Sequence, residues 1–124
     1  MNEKMLFELI KKVIPDLETS SEFSYYDCYS KKYQFHIELK CREKHYTKLV
    51  IEKIKYDKLK LIKSKYINST PEGIYSFSIQ DLNEPIWEEW FMPKTSKFED
   101  TNFILKKVGF MDINLAKNIT NIIK

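Results

Sequence analysis

Glycine, cysteine and long apolar runs are scarce in this chain. Only two glycines occur among its 124 residues, which excludes glycine-rich phosphate-binding loops, collagen-like repeats and flexible linkers. Two cysteines cannot build a disulfide framework, and no apolar run reaches the roughly 18 residues that a membrane span needs. We therefore expect a cytoplasmic protein with reduced thiols and no contact with a membrane.

The composition that remains suits one packed domain. A chain of 124 residues has the ordinary size of a single domain. Hydrophobic residues make up 43% of it and charged residues 31%, which is enough apolar material for a core and argues against general disorder. We expect one domain over residues 1–124, with its core in about 2–92 and a C-terminal extension over 93–124.

Positive charge is concentrated in one segment of the sequence. The whole chain has a formal net charge of +3, but residues 40–65 hold ten basic and three acidic side chains, a net charge of +7. Such a segment suits a surface that faces nucleic-acid phosphates. A lysine-rich helix face in contact with water explains the same pattern equally well.

The spacing of apolar residues predicts a helix followed by a hairpin at the start of the chain. Residues 2–14 show the helical spacing, with Asn2 as N-cap, and Pro15 ends the helix. Residues 23–29 are rich in aromatics, and residues 33–42 alternate between apolar and polar side chains. Two such strands with a short connection predict an antiparallel β-hairpin.

The rest of the chain predicts a second helix and further strands. A lysine-rich helix with an apolar stripe is expected over 49–65, and Asn68–Gly73 has the composition of a loop. Further strands are expected over 74–80 and 86–92, residues 103–111 suit one more strand or an irregular tail, and 115–123 suit a short terminal helix. This order of elements predicts a mixed α/β arrangement.

Three ionisable residues of the predicted hairpin form the strongest functional pattern. Glu38 and Lys40 are two residues apart on one strand, so their side chains project from the same face, roughly 6–7 Å apart. Asp27 lies on the neighbouring strand and can reach that face. Two carboxylates and the Leu39 carbonyl make an oxygen site suited to Mg²⁺ or Mn²⁺, which lowers the pKa of a bound water. Lys40 is suited to orienting that water or stabilising charge on a phosphate.

The pattern Asp27…Glu38-Leu39-Lys40 resembles the core motif of the PD-(D/E)XK nuclease superfamily. The expected order of helix 2–14, hairpin 23–42, helix 49–65 and strand 74–80 is similar to that of its core. The segments HIELKCR and IEKIKYDKL resemble small phage or bacterial members. The chain departs from the motif in one respect, because Tyr26 rather than proline precedes Asp27.

The resemblance implies a fold, a chemistry and a set of site residues. The fold is an α/β, restriction-endonuclease-like core of α-β-β-α-β order, with a central mixed sheet flanked by helices. The activity is Mg²⁺- or Mn²⁺-dependent hydrolysis of phosphodiester bonds, with DNA as the expected substrate. Asp27, Glu38 and the Leu39 carbonyl hold the metal, and Lys40 positions the attacking water. Because so small a chain offers little surface for a duplex, we also expect a homodimer.

Two further residues are candidates by resemblance. Some members carry an additional glutamate on the first helix, for which Glu8 is the first candidate and Glu3 the second. On the second helix, Lys55 is preferred to Glu52 and Tyr56 as a contact to the scissile phosphate. Solvent-exposed helix side chains explain Glu8 and Lys55 at least as well.

Two alternatives remain open from the sequence. The first is a catalytically inactive nuclease-like module that binds nucleic acid or a protein partner. The second concerns Trp87, Trp90 and Phe91, which suit either a stacking platform for bases or, as the simpler interpretation, the hydrophobic core.

Overall fold

The computed structural model describes residues 1–21, 24–94 and 102–123. These residues form two β-sheets and three α-helices. In chain order the elements are α1 (Glu3–Val13), β1 (Glu18–Ser21), β2 (Ser24–Ser30), β3 (Phe35–Cys41), β4 (Lys48–Glu52), α2 (Lys53–Lys60), β5 (Ser64–Thr70), β6 (Gly73–Ser78), β7 (Glu88–Pro93), β8 (Phe103–Asp112), β9 (Lys117–Asn118) and α3 (Thr120–Ile123).

The larger sheet is mixed and holds the centre of the fold. Its six strands lie in the order β1-β2-β3-β5-β6-β9. Only β3 and β5 pair in parallel, and the other neighbours pair antiparallel. The chain passes from β3 to β5 through β4 and α2, as a parallel pair requires. The predicted central mixed sheet is therefore confirmed; α1, β2, β3, α2 and β5 follow the predicted α-β-β-α-β order, and β1 and β4 are additional strands within it.

Each face of the larger sheet carries its own hydrophobic core. Because successive strand residues point to opposite faces, Ile37 and Leu39 join one core while Tyr66 joins the other. The first core packs against α1 and α3, and the second packs against α2 and the small sheet β4-β8-β7. The β3 residues that do not enter the first core therefore face α2.

The first helix and the hairpin agree with the sequence prediction. The Asn2 side chain accepts a hydrogen bond of 2.9 Å from the Met5 backbone, as expected of the N-cap. Strands β2 and β3 pair antiparallel from Asp27–Glu38 to Ser30–Phe35. Asp16 fixes the turn of the hairpin, because its carboxylate accepts hydrogen bonds from the Ser30 hydroxyl (2.9 Å) and the Lys32 backbone (2.8 Å).

The predicted helix over 49–65 is wrong at both ends. Residues Lys48–Glu52 form β4, α2 spans only Lys53–Lys60, and β5 begins at Ser64. The run Leu49-Val50-Ile51 alternates between buried and half-buried side chains, because it pairs with β8 rather than continuing a helix. Leu61, which lies within the predicted helix, is 87% exposed.

Two segments that were not predicted as strands form strands in the structure. Residues Asn68–Thr70, expected in a loop, complete β5 and are buried between β3 and β6. The polar segment before the hairpin contains β1, which pairs through its backbone with β2 at the edge of the sheet. Residues 103–111 do form a strand, since β8 covers Phe103–Asp112.

Strand β8 belongs to two different pairings along its length. Residues 108–112 pair with β4, and residues 103–108 pair with β7 on the opposite side. Strand β7 and residues 103–107 therefore extend past the end of β4 as a two-stranded arm, named here the β7–β8 ribbon.

Among the described helices, none is both long enough and apolar enough to cross a membrane.

Gly109 allows β8 to lie close to the segment before β7. A Cβ at this position would lie 2.5 Å from the Pro85 Cβ and 3.0 Å from the Trp87 ring. We expect Gly109→Ala to lower the free energy of unfolding by about 1–3 kcal/mol, because overpacking forces these neighbours apart. Urea unfolding measures the change, and a loss below about 0.5 kcal/mol would show that the contact relaxes freely.

Candidate active site

Asp27 and Glu38 lie directly opposite each other on β2 and β3. The backbone N–H of His36 donates to Lys63 O at 2.9 Å, so the even-numbered residues of β3 direct their backbone groups toward β5. The Asp27–Glu38 pair is therefore of the non-hydrogen-bonded kind, in which opposing side chains are closest. The two carboxylates share the sheet face that packs against α2.

Helix α2 supplies a positive charge to each carboxylate. Lys55 Nζ lies 2.9 Å from Glu38 Oε1, and Glu38 is only 4% exposed. Lys58 Nζ lies 3.8 Å from Asp27 Oδ2, in a more exposed position. Because the two lysines are three residues apart, they project from one side of α2. The site is thus an acidic pair, with Glu38 buried and Asp27 half-buried, covered by two ammonium groups of one helix.

Lys40 is half-buried on the same face of β3 as Glu38. Burial lowers the pKa of its ammonium, and the positive charges of Arg42 and Lys55 lower it further. The negative charges of Glu3 and Glu52 act in the opposite direction and do not outweigh these effects. No ion pair or hydrogen bond holds the Lys40 ammonium within the described part of the chain.

The pKa of Lys55 is shifted in the opposite direction from that of Lys40. Burial lowers the pKa of Lys55, but the hydrogen bond and negative charge of Glu38 outweigh it, so the pKa rises overall. Two neighbouring lysines with pKa values moved apart suit two roles. The Lys40 ammonium therefore gives up its proton more readily than the Lys55 ammonium does.

The pKa of the Cys28 thiol is raised by burial and by the negative charges of the site. Burial raises the pKa of its thiol to about 12, with further contributions from the charges of Asp27 and Glu38. Burial likewise raises the pKa of Cys41 to about 11. Both thiols therefore stay protonated near neutral pH and are poor nucleophiles.

The structure brings Glu3, rather than Glu8, within electrostatic reach of the site. Glu3 raises the pKa values of both Lys40 and Cys41 through its charge. Glu8 is exposed and lies five residues along α1, roughly 140° around the helix axis from Glu3. No described contact connects Glu8 with Asp27, Glu38 or Lys40.

Leu39 can contribute only its backbone to the site. Its side chain is 2% exposed and belongs to the core beneath α1. Its carbonyl points toward β2, because the alternate residues of β3 bond to β5. The described β2–β3 register ends at Asp27–Glu38, so this carbonyl lies one residue beyond the last pair.

Arg42 supports the site in a way that the sequence interpretation missed. Its guanidinium donates to Asn68 Oδ1 at 2.7 Å and to Val50 O at 2.6 Å. Burial lowers its pKa. Arg42 thereby ties β3 to β4 and β5 next to Lys40. The sequence pattern could have identified Arg42, because it continues the alternation that places Glu38 and Lys40 on one face.

The donor atoms present fit a hard divalent cation only in part. Two carboxylates meet on one face, and carboxylate and carbonyl oxygens are the ligands that Mg²⁺ and Mn²⁺ prefer. Within residues 1–21, 24–94 and 102–123, however, no group of three or more His, Cys, Asp or Glu side chains is placed to hold a metal. A cation here would therefore depend on Asp27, Glu38, a backbone carbonyl and water.

Similarity to known proteins is found at the level of structure rather than sequence. No protein-family model matches the sequence, and no curated protein matches it significantly. The fold is similar to that of Hjc, a Holliday junction resolvase from the archaeal hyperthermophile Archaeoglobus fulgidus, at 14% sequence identity and a TM-score of 0.47. The alignment covers 98% of this chain and 95% of the resolvase.

Proposed function

We propose that the protein is a metal-dependent nuclease that hydrolyses phosphodiester bonds, with DNA as the expected substrate. One observation carries the proposal: Asp27 and Glu38 are register partners on one sheet face, with Lys40 two residues further along. Burying Glu38 in the middle of a strand is costly unless the charge serves its neighbours. The arrangement agrees with the motif resemblance of these same residues.

Each residue of the site has a role that follows from its surroundings. Asp27, Glu38 and the Leu39 carbonyl would hold Mg²⁺ or Mn²⁺. When bound, such a cation lowers the pKa of water and offsets negative charge on a phosphate. Lys40 orients the attacking water or stabilises negative charge on the phosphate. Lys55, whose pKa is raised, keeps its charge and would contact the scissile phosphate.

Cleavage of supercoiled plasmid tests the proposal directly. We expect nicking in Mg²⁺ or Mn²⁺ that chelation with EDTA abolishes. Glu38→Gln keeps the shape of the side chain but removes the anionic ligand, so cleavage should fall roughly 100-fold or more. Calorimetric titration with Mn²⁺ should show the same variant binding the ion more weakly.

The matched control is Glu18→Gln, at an exposed position of β1. It makes the same chemical change outside the site and should cut as the wild type does. The nuclease proposal fails if the wild type does not cut, or if Glu38→Gln and Glu18→Gln cut equally well.

The ion pairs favour a second candidate from another class. In the absence of a metal, Lys55 and Lys58 already neutralise Glu38 and Asp27, which is a stable arrangement for a nuclease-like module that binds without cutting. Such a module would bind DNA with strong salt dependence, without requiring Mn²⁺ and without cleavage in the plasmid assay.

A further inference from the structure

A lysine-rich groove lies between α2 and the β7–β8 ribbon, beside the acidic pair. Its volume is about 590 Å³. Six lysines line it, against two acidic residues: Lys53, Lys55, Lys58, Lys94, Lys106 and Lys107. Glu52 and Asp57, the two acids, are already paired with Lys106 (2.7 Å) and Lys53 (2.8 Å). Lys55 and Lys58 pair in turn with Glu38 and Asp27, so the six lysines exceed the four neighbouring carboxylates by two positive charges.

Exposed aromatic side chains continue the wall of this groove along the ribbon. Leu105 lines the groove, and its register partner Phe91 lies on the same face of the small sheet. Phe91 and Phe103 are 68% and 52% exposed, and their rings stack with centroids 6.5 Å apart and planes 13° apart. Neither ring belongs to either hydrophobic core. An apolar surface of this kind beside many lysines indicates a binding surface.

The positive charge of the groove indicates which partner would cover the exposed aromatic rings of the ribbon. A second copy of this chain would bring its own lysine-rich groove against the first, and like charges repel. A polyanion with flat apolar faces satisfies both the lysines and the rings. Single-stranded nucleic acid has this chemistry, because its phosphates bind lysine and its bases stack on aromatic side chains. In a duplex the base faces are covered by stacking and cannot reach Phe91.

We propose that the groove and the β7–β8 ribbon bind single-stranded nucleic acid, with bases stacking on Phe91 and Phe103. The inference rests on the proposed function in one respect, since it takes the strand to be the nuclease's substrate. Lys55 and Lys58 line the groove and also contact the acidic pair. A strand in the groove therefore has its phosphates beside Glu38 and Asp27.

Binding in EDTA separates this inference from cleavage. We would measure the fluorescence anisotropy of a short labelled thymidylate strand, and of a labelled duplex, with the full chain. Single strand should bind more tightly than duplex. Phe91→Ala and Phe103→Ala should each weaken single-strand binding roughly 5- to 150-fold, while Phe91→Trp should restore it.

The control is Tyr46→Ala, which removes an aromatic ring that is 58% exposed and does not line the groove. It should leave single-strand affinity within twofold of the wild type. Thermal unfolding of all variants shows whether they fold, and because Phe91 is exposed we expect little change.

Three results would overturn the inference. One is that duplex binds as tightly as single strand, and another is that the Phe91 and Phe103 variants bind as Tyr46→Ala does. The third is that sedimentation shows a dimer that Phe91→Ala dissociates without any loss of strand binding, which assigns the surface to a second copy. A protein that binds single strands through Phe91 but does not cut refutes the nuclease, and with it the role of the strand as substrate, and leaves the binding surface intact.

Discussion

Lys40→Met is expected to lower metal-dependent cleavage by roughly 100- to 10,000-fold, the usual range for removal of a positioned acid or base. Methionine keeps the length of the apolar stem but has no ammonium, so the attacking water loses its partner. Initial rates on supercoiled plasmid measure the effect. Lys12→Met, at an exposed position of α1, makes the same change away from the site and should cut normally.

The same substitution is expected to stabilise the protein at neutral pH. The pKa of Lys40 is lower in the folded chain than in the unfolded one, chiefly because of burial, so the charged form opposes folding below the lowered pKa. As the pH rises through that value toward the ordinary lysine pKa, the unfolded chain binds more protons and the penalty disappears. The advantage of Lys40→Met should therefore be largest near neutral pH and should shrink in alkaline buffer.

Urea unfolding at two pH values checks this second expectation. Lost cleavage together with retained or increased stability shows that Lys40 serves the reaction rather than the fold. A variant that loses stability at neutral pH would instead assign Lys40 a structural role, and one that cuts within a few-fold of the wild type would remove it from the mechanism.

Arg42→Met is expected to reduce the free energy of unfolding by about 2–5 kcal/mol. It removes the donors to Asn68 Oδ1 and Val50 O, and each buried acceptor left without a partner costs about 1–3 kcal/mol. Arg42→Lys should recover only part of the loss, because an ammonium cannot reproduce the planar fork of a guanidinium. Urea unfolding of both variants measures the difference.

Lys44→Met provides the comparison for Arg42, because it removes a positive charge from an exposed residue two positions away. It should change stability by less than about 0.5 kcal/mol. Equal losses in Arg42→Met and Lys44→Met would show that net charge, rather than the hydrogen bonds among β3, β4 and β5, determines the effect.

Local patterns predicted the part of the fold that local forces determine. Helix α1 follows from its apolar spacing and the Asn2 cap, and the hairpin follows from alternation in β3. The same patterns do not reveal which partner a short apolar run will find. Residues Leu49–Ile51 suit a helix as well as a strand, and pairing with β8, some sixty residues later, decides for a strand. Asn68 is polar yet fully buried; the guanidinium of Arg42 satisfies its side-chain Oδ1, while its Nδ2 has no hydrogen-bond partner among the described residues.

The residues of the site likewise divide into those that local patterns predict and those whose contacts depend on tertiary packing. Asp27, Glu38 and Lys40 could be placed on one face from the hairpin alone, since strand alternation and an antiparallel register need only nearby residues. The ion pair of Lys55 with Glu38 depends on how α2 crosses the sheet, so the sequence suggested the residue but not its partner. Which of Glu3 and Glu8 lies near the site depends on how α1 is rotated about its axis against the sheet. That rotation depends on packing between Leu6, Ile10 and the strands.

Lys55 and Lys58 lie on one short helix, and each makes two kinds of contact. Each neutralises a carboxylate of the acidic pair, and each also lines the lysine-rich groove. In the proposed nuclease, Asp27 and Glu38 would hold the divalent cation, and the ammonium groups of Lys55 and Lys58 would then be available to phosphates in the groove. Loading of the metal and capture of the strand thereby become thermodynamically linked, so each should raise the affinity for the other by the same factor.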